Sequence, residues 1–280
     1  MNAAAAGTID LGGDLTVNRL GFGAMQITGA DVWGDPPHHD AAIATLRTVV
    51  ELGVNFIDTA DAYGPEVSEK LIAQALYPYP DDLVIATKGG FVRPGPGRWE
   101  PDGRPQHLRE ACEGSLRRLK LDQIPLYQLH RPDPAVPYEE SVGAIAELKA
   151  EGKIRHIGIS NVTEEQLRTA QRVTPIVSVQ NRYNISDRHS QSLVDLCEQE
   201  EIVFLPWEPI RPGHENDAIA DAAENHNATT HQVILAWLLA SSAKMLPIPG
   251  TGSAQHAAEN IAAASITLSA DEVAAISSIV

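Results

Sequence analysis

Residues 53–64 read GVNFIDTADAYG. A short apolar run with the composition of a buried strand ends on Asp58, and Asp61 and Tyr63 follow within five positions. A core strand that delivers a carboxylate and a phenol at its end makes sense if the architecture gathers several strand ends at one face. Counting the neighbouring segments tests that idea.

Before this stretch, TIDLGGDLTVN (8–18) reads as a hairpin turned by Gly12, Gly13 and Asp14. LGFGAM (20–25) reads as a first strand, and residues 40–52 place Ile43, Leu46 and Val49 at helical spacing, with Gly53 ending that helix. After NFID (55–58) the alternation continues. A helix is expected over 66–76, then LVIATK (83–88) and a helix over 106–119, and LYQLH (126–130) with a helix over 138–150. IRHIGIS (154–160) leads to 163–172 and IVSVQ (176–180) to 190–200. IVFLPW (202–207) passes through a polar stretch to 230–240, and MLPIPG (245–250) leads to helices near 253–263 and 270–278. Eight strands, each followed by a helix, match a parallel (β/α)8 TIM barrel with an N-terminal β-hairpin, read as a single domain over residues 1–280. Apolar runs without strict alternation suit strands covered on both faces. The alternative, an open doubly wound sheet, is weakened because no G-x-G-x-x-G turn follows the first strand.

The 280 residues are 43% hydrophobic, enough for a sizeable core, and carry a formal net charge of −16. That charge repels nucleic acid and anionic membranes over most of the surface, so neither is expected as a partner. Cys112 and Cys197 lie in helical patterns and read as small apolar residues. The N-terminus lacks a signal-peptide pattern and no run of some 18 apolar residues occurs, so a soluble cytoplasmic protein is expected. No feature fixes an oligomeric state.

On a (β/α)8 barrel the carboxyl ends of the strands carry the chemistry. Asp58 ends the second strand, Lys88 the third and His130 the fourth, with Tyr63 in the loop just after Asp58. Singly, each has an ordinary structural explanation; four together mark a site. A free tyrosine titrates near pH 10, too high for an efficient donor at neutral pH, and a nearby ammonium lowers that value. Lys88 is expected to supply this charge, Asp58 to hold Lys88 protonated, and His130 to hydrogen-bond a substrate carbonyl. A cluster of His and carboxylate metal ligands, as a barrel hydrolase requires, is not apparent, because only His130 and Asp58 are suitably placed.

These residues lie in the segments NFIDTADAYGPEVSEKLI, VIATKGG, LREACEGSLRRLKLDQIPLYQLHRPD, GKIRHIGISN and IPGT…AEN. In order and spacing the chain resembles the aldo-keto reductase family over nearly its full length. The resemblance implies carbonyl reduction by a nicotinamide cofactor, with Asp58, Tyr63, Lys88 and His130 as the catalytic group and Tyr63 as proton donor. It also implies carboxamide contacts from Ser160, Asn161 and Gln180, an aromatic platform at Trp207, and an adenosine end held by Thr251, Gly252, Ser253, Glu259 and Asn260. The Lys or Arg often found in that last segment is replaced by Gly250 and His256. The resemblance favours NADP(H), and the thin positive charge for a 2′-phosphate at this segment keeps NAD(H) as the alternative. Glu208 stands where relatives carry Ser, and the loop over 208–216 looks short.

Residues 89–106 form a long Pro- and Gly-rich loop with Arg93, Arg98 and Trp99, and Trp33 lies in the loop after the first strand. Trp33 and Trp99 are the expected substrate walls. The chain runs only briefly past its last helix, so an open pocket for a small carbonyl compound is expected, aromatic and heteroaromatic aldehydes included. Some relatives act instead as redox-sensing subunits that hold the cofactor and turn over slowly; a long exposed apolar surface would favour that, and none is evident.

Overall fold

The apolar runs on either side of Asp58 become the strands of one parallel sheet. The computed structural model describes residues 2–211 and 217–278. A hairpin comes first, β1 (Thr8–Leu11) and β2 (Leu15–Asn18), followed by β3 (Phe22–Gly23), β4 (Phe56–Asp58) and β5 (Val84–Gly89). A second hairpin, β6 (Phe91–Gly95) and β7 (Arg98–Pro101), precedes β8 (Ile124–Leu129), β9 (Ile154–Ser160), β10 (Ser178–Arg182) and β11 (Val203–Trp207). In the main sheet the order is β3-β4-β5-β8-β9-β10-β11, with every neighbouring pair parallel.

The helices are α1 (His39–Glu51), α2 (Val67–Leu76), α3 (Pro105–Leu119), α4 (Tyr138–Ala150), α5 (Glu164–Val173), α6 (Gln191–Gln199), α7 (Asp217–Asn225), α8 (Thr230–Ser241), α9 (Ala254–Ala262) and α10 (Ala270–Ser277). Three begin with reciprocal side-chain caps, Thr163 with Gln166, Thr229 with Gln232 and Ser269 with Glu272. Their apolar faces pack on the outside of the sheet. Among the described residues no helix is long and apolar enough to cross a membrane.

The (β/α)8 expectation is met in architecture, with corrections at both ends of the sheet. The first strand is only Phe22–Gly23, because the chain turns into a 3-10 helix at Ala24–Ile27. The eighth strand, expected over 245–250, is no regular strand. Pro247 and Pro249 have no N–H to donate to a ladder. The segment still spans the gap: Leu246 N–H donates to the Phe204 carbonyl (2.9 Å), and Gly21 N–H donates to the Pro247 carbonyl (2.9 Å). Gly23 permits this approach, since a Cβ there would sit 2.6 Å from the Ile248 carbonyl oxygen. Two elements went unforeseen, α7 in the polar stretch before α8 and the β6–β7 hairpin in what reads as a loop.

The N-terminal hairpin packs into an inner core. Ile9, Leu11 and Val17 join Phe56, Val84, Ala86, Leu126, Val203, Leu205, Leu246 and Ile248. Its tip is tied down where Asp14 Oδ2 accepts from Arg155 Nη2 at 2.7 Å and Asp14 Oδ1 meets His156 Nε2 at 2.5 Å. With the amino ends of the strands occupied in this way, the opposite end is left for chemistry. Gly12 adopts φ +64°, and a Cβ there would lie 2.2 Å from the His156 ring. Gly12→Ala is expected to lower stability by about 2–4 kcal/mol, adding left-handed backbone strain to the overlap. Urea denaturation checks this, and an unchanged midpoint would contradict the packing role given to the hairpin tip.

Candidate active site

Lys88, near the end of β5, is fully buried and donates three hydrogen bonds. They run to Asp58 Oδ2 at the end of β4 (2.6 Å), to the Thr59 carbonyl (2.8 Å), and to the Tyr63 hydroxyl (3.2 Å). The other carboxylate oxygen of Asp58 accepts from Gln180 Nε2 (2.8 Å) and Gln128 Nε2 (3.0 Å), and Gln180 also donates to Gln128 Oε1 (3.3 Å). Each of these side-chain contacts of the Asp58 carboxylate is thus with a hydrogen-bond donor. His130 follows β8, its ring edge-on to Tyr63 at 5.8 Å between centroids. The four residues expected to converge do so.

Gln128 was missed, although alternation along β8 puts it on the same side as His130, two residues on. Glu69 was missed as well. This buried carboxylate on α2 accepts from Thr87 Oγ1 and from Arg118 Nε, each at 2.6 Å, and so fixes α2 and α3 to the strand that carries Lys88. Asp61 N–H donates to the Lys88 carbonyl at 3.2 Å; burial, and next the charge of Glu69, push the Asp61 carboxyl well above the ordinary value.

The electrostatics correct one expectation. Burial pushes the Tyr63 phenol above its ordinary value of 10.0, and the Lys88 ammonium opposes that shift without reversing it. Tyr63 therefore keeps its proton at neutral pH. Burial pulls Lys88 down, but the Asp58 charge and the hydrogen bonds to Asp58 and Tyr63 outweigh it and the net shift is upward, so the ammonium persists. His130 is held well below 6.5 by burial first and then by Lys88, Arg131 and Arg93, which makes it a neutral imidazole.

Beside this group, Ser160 ends β9, Asn161 follows it, Gln180 lies on β10 and Trp207 ends β11. Asn161 is saturated within the protein: its Nδ2 donates to the His130 carbonyl and Ser160 Oγ, and its Oδ1 accepts from Arg131 and from Trp207 Nε1. Gln180 Oε1 has no protein donor among the described residues, and Ser160 Oγ accepts one bond while its own proton stays uncommitted. One acceptor and one hydroxyl donor thus remain, the complement of a carboxamide.

Thr251, Gly252 and Ser253 stand apart from this cluster, before α9. Ser253 caps that helix by accepting from His256 N–H, and Thr45 Oγ1 donates to the Gly252 carbonyl at 3.2 Å. Glu259 and Asn260 lie on α9. Glu208 is paired with Arg182 Nε at 3.0 Å. The short loop expected over 208–216 falls largely on 212–216, outside the described residues. Trp33 and Trp99 both face the Arg93 guanidinium, at 5.6 and 3.6 Å.

The pattern that defines the aldo/keto reductase family matches residues 19–280. The chain belongs to the aldo/keto reductase family. It is 47% identical over 277 residues to an uncharacterized oxidoreductase of Schizosaccharomyces pombe, covering 97% of this chain and 89% of that protein. It is 42% identical to pyridoxine 4-dehydrogenase of Escherichia coli, covering 92% and 93%. An aldo-keto reductase of Klebsiella pneumoniae solved with NADPH superposes with a TM-score of 0.80 at 28% identity, covering 97% of this chain and 94% of that one. As a family member the chain is an oxidoreductase of carbonyl compounds.

In this aldo/keto reductase the neutral state of His130 has a consequence for stability. Its folded pKa lies well below the unfolded value, so on acidification the unfolded chain takes up the proton first. The contribution is complete above about pH 6.5 and is lost progressively as pH falls below it. His130→Gln should flatten this part of the curve. Urea midpoints compared between about pH 7.5 and 5 read the difference, and parallel curves for the two proteins would contradict a buried neutral imidazole.

Proposed function

We propose that this chain is an NADP(H)-dependent oxidoreductase that reduces an aldehyde or ketone to the alcohol, or runs the reverse, with Tyr63 as general acid or base. The observation that carries the reading is the buried chain Asp58–Lys88–Tyr63, 2.6 Å and 3.2 Å at its two links, beside a neutral His130. A nicotinamide dinucleotide supplies the hydride when bound. Ser160 and Gln180 hold its carboxamide through the hydroxyl and the acceptor they keep uncommitted, and Trp207 gives the ring a flat surface. Thr251, Gly252, Ser253, Glu259 and Asn260 take the adenosine end, where the first turn of α9 offers backbone N–H groups to an anion.

Tyr63 gives its proton to the carbonyl oxygen as negative charge grows there, and Lys88 stabilises the phenolate left behind. His130, neutral, orients the oxygen by a hydrogen bond. The Klebsiella pneumoniae relative bound to NADPH supports NADP(H). The absence of Lys and Arg from residues 250–260 favours NAD(H) as the second reading. The name of the Escherichia coli relative supports a flat, ring-bearing aldehyde or alcohol as substrate.

Tyr63→Phe is expected to lower turnover of an aldehyde by about 10²–10⁴-fold, the usual contribution of a general acid. Cofactor affinity, read by quenching of tryptophan fluorescence with NADPH and NADH in turn, should stay within about threefold of the native protein. Unchanged turnover removes Tyr63 as the acid, and tighter binding of NADH reverses the cofactor assignment.

A further inference from the structure

Arg93, on β6, is nine-tenths buried, and among the described residues it has no carboxylate partner. All its hydrogen bonds go to backbone carbonyls. Nε donates to Arg98 (2.9 Å), Nη1 to Val32 (3.0 Å) and Ala62 (2.8 Å), and Nη2 to Asp31 (3.2 Å). One guanidinium therefore ties together the loop after β3, the loop after β4 that carries Tyr63, and the β6–β7 hairpin. A planar fork with five donors satisfies all four carbonyls at once, one more than the three protons of an ammonium could reach.

Two independent features show that this junction is held under constraint. Asp31 and Val32 both have positive φ, 55° and 54°, a region a β-branched residue rarely enters. Theirs are the carbonyls aimed at Arg93. The Val32 carbonyl also accepts from Gly64 N–H (3.2 Å), and Gly34 N–H donates to the Gly64 carbonyl (2.6 Å), which fixes the Trp33 segment against the chain just after Tyr63.

The guanidinium also carries the aromatic walls. Its carbon lies 3.6 Å from the Trp99 ring centroid and 5.6 Å from that of Trp33. Trp99 is in turn edge-on to Tyr63 and to His130, each at 6.3 Å, and to Phe91 at 5.5 Å, while Phe91 meets His130 at 4.7 Å. We propose that Arg93 is the positioning residue that assembles the substrate pocket, and that by fixing Trp99 and Trp33 beside Tyr63 and His130 it selects ring-bearing aldehydes over short aliphatic ones. The selectivity half rests on the carbonyl-reductase reading above; the clamp half does not.

The experiment compares native protein with Arg93→Met and Arg93→Lys, using benzaldehyde and propanal as probes. The ratio of kcat/KM for benzaldehyde to that for propanal falls about tenfold in both variants, mainly through KM for benzaldehyde. Lysine keeps the charge but cannot fork, so restoration of the ratio by Arg93→Lys overturns the clamp, and an equal fall on both aldehydes overturns the selectivity half. Hydrogen exchange supplies a readout independent of turnover. The amides of Gly34 and Gly64 and those of the 91–101 hairpin lose protection together in Arg93→Met, while the helices keep theirs. Unchanged protection overturns the clamp. If the native protein reduces neither aldehyde, the carbonyl-reductase reading falls and the selectivity half falls with it, whereas the exchange result still decides the clamp.

Discussion

A buried ammonium is the constraint on which this molecule is organised. Lys88 has no access to water, and an uncompensated charge in such a place costs several kcal/mol. Its compensation comes from Asp58 on the neighbouring strand, and Asp58 itself needs Gln128 and Gln180 from strands further round the barrel. β4, β5, β8 and β10 are thereby joined through side chains as well as through their backbones. Geometry at the strand ends and closure of the sheet are consequently one problem. A shift of any of these strands would separate donors from the carboxylate and expose an unpaired charge to a low-dielectric interior.

The same burial sets the acid–base character of the site. Removing Tyr63 from water disfavours phenolate, and the ammonium 3.2 Å away restores only part of the difference. The resting group is a phenol that holds its proton, as the proposed role of general acid requires. A phenol made strongly acidic would have lost that proton before the carbonyl arrived. In the proposed reaction, what Lys88 contributes is felt as charge develops, when the phenolate it faces would otherwise stand alone in a dry pocket. Neutral His130 completes the arrangement, since a second cation beside Lys88 would oppose it.

Residues near the strand ends were legible because the barrel concentrates them by topology. Once NFID, LVIATK and LYQLH are read as consecutive parallel strands, Asp58, Lys88 and His130 must share a face. Partners across the barrel were not legible. Gln128 and Gln180 are polar residues inside apolar runs, and period alone does not say that both reach Asp58, 70 and 122 residues away. The helix at 217–225 hides in alanine and acidic residues, with only Ile219, Ala222 and Ala223 on its buried face. The eighth strand was over-read: its apolar character is real, but two prolines deny it a ladder. Lowering of the Tyr63 pKa was expected from one neighbour's charge, whereas the outcome depends on burial, which composition does not reveal.

The residue that looked most out of place, Glu208, shows how the pocket manages charge. A carboxylate beside a site that takes an anionic ligand should repel it, yet Arg182 pairs with Glu208 at 3.0 Å and lies over the Trp207 ring at 4.5 Å. The guanidinium thus neutralises the carboxylate and occupies one face of the indole. Trp207 is also anchored at its edge, where Nε1 donates to Asn161 Oδ1 at 3.2 Å. A ring fixed at one face and one edge presents only its remaining face to a ligand. Its orientation is set by these two contacts, so that little side-chain entropy would be left to lose in the stacking proposed for it.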